Sequence, residues 1–217
     1  MKKIKVTFNA PVTLWFVILC FGALILNIVT KGWANNAFFS VYRSPLYSPL
    51  TYVRFVGYVF GHASWDHYLG NMVTLLLVGP LLEEKYGSRN LALVMLFTTV
   101  ITGILSFIIF PHVQLLGASG IVFAFILLAS ITGVKEGEIP LTFILVAAVY
   151  LGEQVYQGVF MVDNVSNFGH VIGGVCGSII GYLLNKGSSD GTSSGTTGKS
   201  AVSAYGGQYN DNYNTYY

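Results

Sequence analysis

The sequence predicts an all-α membrane protein, a polytopic bundle of six transmembrane helices, and three observations lead to this fold class. Only 9% of the 217 residues are charged, whereas a soluble domain carries about 25%. Apolar runs recur along the chain, and several approach the length of about 20 residues that a helix needs to cross the hydrocarbon core. Because lipid offers no hydrogen-bond partner to an open backbone, each of these runs is predicted to be helical.

Six candidate spans follow one another along the chain. The first is expected to be retained rather than cleaved as a signal peptide, because it is long, contains Trp15 and Phe16, and is followed by no small-residue cleavage site. The second is interrupted by the polar patch GHASWDH. The predicted spans are residues 12–30, 56–82, 91–110, 115–134, 139–152 and 168–184.

The distribution of basic residues predicts the orientation of these spans. With both termini inside, eight of the 11 Lys and Arg residues fall in inner segments, as the positive-inside rule favours. The sequence therefore predicts a multi-pass protein of the cell membrane with both termini in the cytoplasm. The outer loop, at about residues 31–55, is rich in aromatic residues and is expected to rest partly among the lipid headgroups.

The composition also predicts how the chain is divided. Residues 1–11 are expected to form a cytoplasmic N-terminus, residues 12–185 the transmembrane domain, and residues 186–217, rich in Gly, Ser and Thr and then in Tyr and Asn, a disordered cytoplasmic tail. The two cysteines, Cys20 and Cys176, lie within apolar spans and are interpreted as packing residues. The sequence indicates no metal site, no cofactor and no nucleic-acid-binding patch.

Polar residues converge at one depth of the predicted bundle. His62, His67 and Asn71 lie near the outer start of the second span, Ser119 near that of the fourth, and His170 near that of the sixth. These three spans all enter from the outside, so their polar residues are expected at a similar level. Polar groups within a membrane protein are costly and tend to mark function.

These residue types suit acyl transfer. A serine hydroxyl needs a base to become a nucleophile, and histidine is the usual base near neutral pH. The oxyanion that forms needs preset donors. His67 and Asn71, four residues apart, lie on one helix face and can donate. Ser119 begins a helix, where backbone N–H groups are unpaired.

A stripe of glycines follows the histidine of the sixth span. Gly173, Gly177 and Gly181 share one helix face with His170, and Gly174 widens that face. Small residues allow close helix approach in membranes. The stripe is therefore expected to bring His170 to Ser119, although such a stripe alone more often indicates packing than catalysis.

The surroundings of Ser119 fit this approach. Gly117 and Gly120 let the backbone turn tightly and come close to a ligand. Gly120 and Ala124 can form a smooth opposing surface for the glycine stripe. Phe123, one turn beyond Ser119, is positioned to stack on the imidazole.

Two points stay open from the residues alone. No acid completes a triad, since Asp66 points away from its neighbour His67 and both Glu153 and Asp163 lie at the ends of spans or in loops, so a Ser–His dyad is the simpler interpretation. His62 either faces a water cavity or braces the outer loop, and the structural role is slightly favoured.

Three segments of the chain resemble the motifs of rhomboid intramembrane serine proteases. GHASWDHYLGN, GASG and GHVIGGVCG match HxxxxHxxxN, GxSG and (A/G)HxxGxxxG in order and spacing, within residues 51–184. LLEEKYGSRN also resembles the ExxxGS element of the family, with Glu83 or Glu84 as its acid. In the outer loop Arg54 fits the Trp-Arg pair of the family, but Val53 stands where the Trp is expected.

The resemblance implies a serine endopeptidase that hydrolyses peptide bonds in or next to transmembrane segments of membrane proteins. It implies Ser119 as nucleophile, His170 as base, and an oxyanion hole of His67, Asn71 and the Ser119 N–H. Its partners would be transmembrane substrates and the lipid bilayer. The fifth span and the loop QGVFMVDNVSN are expected to form a lateral gate. Supporting roles are implied for His62, Phe123, Gly117, Gly120, Gly173 and Gly177.

Two other classes compete with this interpretation. The first is a catalytically inactive rhomboid-like protein that binds membrane clients, and the presence of both Ser119 and His170 argues against it. The second is a channel or transporter, which needs polar groups deeper along the spans than this sequence has.

Overall fold

The computed structural model describes residues 6–131, 141–142, 144–149, 152 and 164–190, and in the last segment it describes the side chains of residues 168–183. The predicted all-α class is confirmed for these residues. A 3-10 turn, Tyr58–Phe60, lies between the third and fourth helices, and residues 141–142, 144–149 and 152 are also helical. The helices are α1 Pro11–Val29, α2 Trp33–Ala37, α3 Pro49–Gly57, α4 Trp65–Tyr86, α5 Ser88–Ile109, α6 Ser119–Ile131 and α7 Asn164–Asp190.

Two of the described helices, α1 and α5, are long and apolar enough to cross a membrane. α6 and the Phe168–Leu183 part of α7 are shorter apolar helices. Less than half of the most apolar stretch of α1 or α5 is buried inside the protein, so many of their apolar side chains face outward, as expected in lipid. The count of six spans stays a prediction.

The predicted span at residues 56–82 is divided in the structure. α3 ends at Gly57, and α4 begins only at Trp65. The Ser64 side chain caps α4 by accepting a hydrogen bond from the backbone N–H of His67 at 3.2 Å. The polar patch therefore contains the start of the helix, and α4 then continues beyond residue 82 to Tyr86.

The outer loop is folded against the bundle. It contains α2 and most of α3, and Val41 pairs with Leu115, the residue two places before Gly117, in an isolated antiparallel bridge. Arg54 is buried; its Nε donates to the carbonyl of Ala37 at 3.1 Å, and its guanidinium lies over the ring of Tyr42. The loop thus has fixed contacts with the segment that leads to Ser119.

At the C-terminal end of α4, the Glu83 side chain joins this helix to α1 and α5. Its carboxylate accepts hydrogen bonds from the backbone N–H groups of Val12 and Thr13 at 2.9 and 3.0 Å, and from the hydroxyls of Thr13 and Ser88 at 3.0 and 2.7 Å. It therefore caps the positive end of α1. Burial alone raises the pKa of the Glu83 carboxyl, but these donors outweigh burial and hold that pKa below its ordinary value. Glu83, not Glu84, occupies the ExxxGS position.

α6 lies at the centre of the bundle, packed against α4, α5 and α7. Phe125 and Leu128 of α6 are fully buried, as is Leu91 at the start of α5. Because α6 is surrounded by protein rather than by lipid, this short helix can begin with a polar residue, Ser119.

The last helix extends beyond the predicted span, residues 168–184, at both ends. α7 begins at Asn164 and ends at Asp190. Residues 191–217, most of the predicted tail, lie outside the described residues. So do residues 153–163, with Glu153, Asp163 and most of the predicted gate loop.

Candidate active site

α6 and α7 are in backbone contact beside Ser119 and His170. A Cβ added to Gly173 would collide with the carbonyl oxygen of Gly120 and would lie 2.8 Å from its Cα. A Cβ on Gly120 would lie 3.3 Å from the carbonyl oxygen of Gly169. Ser119 and His170 are the chain neighbours of Gly120 and Gly169. The close approach that the glycine spacing predicts is therefore present, and it occurs at the level of both residues.

The backbone contact between α6 and α7 continues one turn further along both helices. A Cβ on Gly177 would lie 2.6 Å from the Cα of Ala124 and 2.8 Å from its carbonyl carbon. These obstacles are backbone atoms, which cannot rotate aside as a side chain can. Glycine is needed at this position for α7 to lie against α6.

The imidazole of His170 stacks on the ring of Phe123. The ring centroids are 4.3 Å apart, and the two planes differ by 7°. Phe123 lies one turn beyond Ser119 on α6, so the helix that carries the hydroxyl also carries the ring that holds the imidazole. Ser119 and His170 are both partly buried, and neither is sealed from the surface.

The turn before Ser119 lies against His67. Gly117 has φ +119°, a conformation that strongly favours glycine, and its N–H donates to the carbonyl of Tyr58 at 2.9 Å. A Cβ on Gly117 would lie 2.7 Å from both Cε1 and Nε2 of His67 and 3.9 Å from Nδ2 of Asn71. Two side-chain donors of α4 therefore flank the turn that leads into α6.

The contacts of His62 are structural, because they join the outer loop, the turn before α4 and α4 itself. Its Nδ1 lies 3.1 Å from the carbonyl oxygen of Phe60, which can only accept, so Nδ1 carries the proton. Its Nε2 then accepts from Nδ2 of Asn71 at 3.2 Å. Its backbone carbonyl accepts from Nδ2 of Asn35 at 3.0 Å, which ties it to the outer loop. Asn71 keeps a second amide hydrogen beyond the one given to His62.

Buried hydroxyls on α5 are a feature that the sequence reasoning missed. Thr98, Thr102 and Ser106 are almost fully buried and are spaced four residues apart, which places them on one helix face. Thr102 Oγ1 lies 3.9 Å from where a Cβ of Gly120 would be. Within the described residues, Thr98 Oγ1 and Thr102 Oγ1 make no hydrogen bond of good geometry, although the Thr102 hydroxyl lies near that of Tyr58. Their spacing of four residues was the signal in the sequence that could have revealed them. Buried hydroxyls of this kind are usual partners of internal water.

Of the three acids considered from the sequence, only Asp66 lies within the described part of the chain. Asp66 is exposed at the start of α4, and the side chains of Glu153 and Asp163 lie outside the described part of the chain. No group of three or more His, Cys, Asp or Glu side chains suited to a metal ion occurs within the described residues.

Comparison with known proteins shows similarity over the part of the chain that contains the candidate site. The family model of the rhomboid domain matches residues 49–187. Rhomboid-like protein 11, chloroplastic, of Arabidopsis thaliana is 39% identical over 71 residues, which are 32% of this chain and 25% of that protein. Rhomboid-related protein 1 of Caenorhabditis elegans is 31% identical over 130 residues, 55% of this chain and 36% of that protein.

A third relative extends the similarity. Rhomboid-related protein 2 of Mus musculus is 29% identical over 186 residues, which are 76% of this chain and 61% of that protein. The chain thus spans less than two thirds of the length of each of these relatives. Because the domain match covers more than half of the chain and includes all three motif segments, the chain belongs to the rhomboid family.

Proposed function

We propose that this chain is an intramembrane serine endopeptidase that hydrolyses peptide bonds in or next to transmembrane segments of other membrane proteins. The observation that carries the proposal is the backbone contact of α6 and α7 at Gly120, Gly169 and Gly173. A contact this close beside Ser119 and His170 is what proton transfer between residues about fifty positions apart in sequence requires.

In the proposed reaction, His170 takes the proton of the Ser119 hydroxyl as its oxygen attacks the scissile carbonyl carbon. The new oxyanion accepts hydrogen bonds from the Ser119 N–H, from His67 and from the remaining amide hydrogen of Asn71. His170 then gives its proton to the leaving amine, and an acyl-enzyme forms. Water, activated by His170, hydrolyses the acyl-enzyme and restores Ser119.

The proposed dyad also needs His170 to be held in a fixed orientation. The stacked ring of Phe123 supports this part of the proposal. A stacked ring fixes the plane of the imidazole and does not cover the edge that carries the ring nitrogens.

The proposal also states where the protein acts and how its site is oriented in the membrane. As a rhomboid-family membrane protein, the chain would act from the cell membrane as a multi-pass protein with both termini in the cytoplasm. The site would face water from the outer side, and a substrate helix would unwind locally to expose a peptide bond. The predicted lateral gate, at the fifth span and the following loop, falls largely outside the described residues.

The experiment is labelling of the full chain in detergent with a fluorophosphonate probe. Ser119→Ala is expected to abolish labelling, and His170→Ala to slow it by about 100-fold or more, the range of general base catalysis. Ser130→Ala is the matched control on the same helix, since Ser130 Oγ only donates to the carbonyl of Ile126 at 2.6 Å. Equal labelling of wild type and Ser119→Ala would remove Ser119 from this role.

Labelling should be paired with cleavage of a transmembrane substrate reconstituted in the same vesicles. Loss of both activities in the two variants supports the protease. A wild-type protein that neither labels nor cleaves, yet retains membrane clients, would instead support the inactive client-binding alternative.

A further inference from the structure

A polar hollow of about 290 Å³ lies between the outer loop and the connection from α5 to α6, and no residue of the site described above lines it. One wall is the outer loop, with Asn36, Tyr42 and Arg43, and the other is the connection between α5 and α6, with His112 and Gln114. The proposed reaction uses none of these residues. The hollow therefore needs an explanation of its own.

The hollow lies at the end of a membrane span. Nη2 of Arg43 donates to the carbonyl of Ile108 at 3.3 Å, and its guanidinium carbon lies 5.0 Å from the ring centroid of Phe107. Both residues belong to the last turn of α5, one of the two helices able to cross a membrane. The headgroup region begins where such a span ends, so Arg43 is held at the depth of lipid phosphates.

An apolar surface adjoins the hollow. Ile108 and Ile109 are 57% and 49% exposed at the end of α5, next to the carbonyl that Arg43 contacts. A ligand with a charged head and an apolar tail could place both parts here. A free inorganic anion would leave this surface unused.

The lining has the chemistry of an anion site. It includes an arginine, a histidine and two amide side chains, and no carboxylate of the described residues lines it. A guanidinium offers paired N–H donors that match phosphate oxygens. Gln114 Nε2 donates to Oδ1 of Asn36 at 2.9 Å and to the hydroxyl of Ser40 at 2.5 Å, so the two walls are already joined.

We propose that this hollow binds the phosphate of a membrane phospholipid, with Arg43 as the principal ligand, His112 as a second donor, and an acyl chain along Ile108 and Ile109. The bound phosphate would fasten the outer loop to the α5–α6 connection. That connection pairs with the loop at Leu115 and then reaches Gly117, so the lipid would stabilise the segment before α6. The proposal does not depend on catalytic activity.

The test uses the full chain in a phosphate-free maltoside detergent. Binding of dihexanoyl phosphatidylglycerol is measured by native mass spectrometry and by the shift in melting temperature, alongside dihexanoylglycerol and inorganic phosphate. Wild type is expected to bind the phospholipid and to melt at a higher temperature with it. Arg43→Gln is expected to weaken this binding about tenfold or more, the effect of losing a charged hydrogen-bond donor.

Matched variants separate a site from general charge attraction. Lys31→Gln removes a cation of the outer loop, and Arg89→Gln removes an exposed arginine at the opposite end of α5; both should bind as wild type does. His112→Ala changes an exposed side chain, so it should fold normally and bind more weakly.

Three results would overturn the proposal. The first is unchanged affinity in both Arg43→Gln and His112→Ala. The second is an equal loss in Lys31→Gln. The third is binding of dihexanoylglycerol or of inorganic phosphate as strong as that of the phospholipid, which would mean that phosphate or lipid, respectively, is not needed.

Discussion

Phe123 lies flat against His170, with ring centroids 4.3 Å apart and planes 7° from parallel. The two residues come from different helices, α6 and α7, and Phe123 is one turn from Ser119 on its own helix. The stack therefore relates the imidazole to the hydroxyl through a single rigid element. In the proposed dyad of Ser119 and His170, this relationship predicts direct consequences for the reaction rate.

Replacing Phe123 with Leu is expected to slow fluorophosphonate labelling by about two- to tenfold, because an aromatic pair contributes about 0.5–1.5 kcal/mol beyond area burial. Phe123→Tyr keeps the ring and should label at close to the wild-type rate. Labelling rates and melting temperatures are measured together, so that a loss of rate can be separated from a loss of fold.

Phe97→Leu is the control, since Phe97 is exposed on α5, a helix able to cross the membrane. It should change neither quantity. If Phe123→Leu labels as fast as wild type, or if Phe123→Tyr is as slow as Phe123→Leu, the ring does not orient the base.

Gly177→Ala is expected to destabilise the protein by about 1–3 kcal/mol, the usual cost of overpacking. The new Cβ would meet the Cα and carbonyl carbon of Ala124 at 2.6 and 2.8 Å, and α7 would have to move away from α6. Thermal unfolding in detergent measures the effect.

Gly22→Ala is its matched control. Gly22 lies within α1, and a Cβ there would meet nothing within 4 Å. This substitution should leave stability unchanged or raise it by up to about 1 kcal/mol, since alanine is the better helix former. Similar melting temperatures for the Gly177 and Gly22 variants would show that the helices separate without cost.

The contacts between α6 and α7 could be predicted from the sequence, because helical periodicity fixes which residues share a face. His170, Gly173 and Gly177 must lie on one stripe of a helix, and Phe123 must lie one turn from Ser119. Given a membrane, few other surfaces can receive such a stripe. These relationships depend on spacing alone, and the structure contains them.

Features that depend on loops could not be predicted in this way. The pairing of Val41 with Leu115 and the position of Arg54 over Tyr42 result from contacts between segments without periodicity. The start of α4 at Trp65 was obscured because the apolar residues of α3 continue the hydrophobic run.

The choice between Glu83 and Glu84, in contrast, could be made from the sequence, whereas the contacts of the chosen acid could not. Adjacent helix residues point about 100° apart at 3.6 residues per turn, so only one of them can face the start of α1. The spacing of the ExxxGS element selects Glu83, which is four residues before Gly87, and the structure shows that its partners are the N–H groups at the start of α1.

Thr102→Val is expected to preserve or raise the melting temperature while slowing substrate turnover several-fold. The Thr102 hydroxyl is buried beside Gly120 and makes no hydrogen bond of good geometry within the described chain, so removing it relieves an unpaired polar group. The turnover prediction assumes that the hydroxyl holds a water near the site. Without it, less water reaches the acyl-enzyme and deacylation is slower. Turnover is measured by substrate cleavage, and the acylation step by fluorophosphonate labelling.

Thr74→Val serves as the control, because the Thr74 hydroxyl donates to the carbonyl of Gly70 at 3.1 Å within its own helix. It should not alter turnover. A Thr102→Val protein with wild-type turnover would mean that the hydroxyl has no part in supplying water.

Glu83→Gln is expected to lower stability at neutral pH by about 2–3 kcal/mol. An amide keeps only one of the two acceptor oxygens, so either the Val12 N–H, which binds Oε1, or the Thr13 N–H, which binds Oε2, meets an NH2 group and loses its acceptor. Glu84→Gln, a change in the exposed neighbour, should have almost no effect. Denaturation in detergent at pH 7 compares the three proteins.

The same variant predicts how stability depends on pH. The pKa of Glu83 is held below its ordinary value of 4.5 in the folded protein. A carboxyl with a lowered folded pKa contributes stability above the unfolded pKa, and this contribution is lost as pH falls through the folded pKa. Wild type should therefore lose stability on acidification below about pH 4.5 more steeply than Glu83→Gln, and the gap between them should narrow. A gap of constant size from pH 7 to pH 3 would mean that the ionised carboxylate is not what holds α1 to α4.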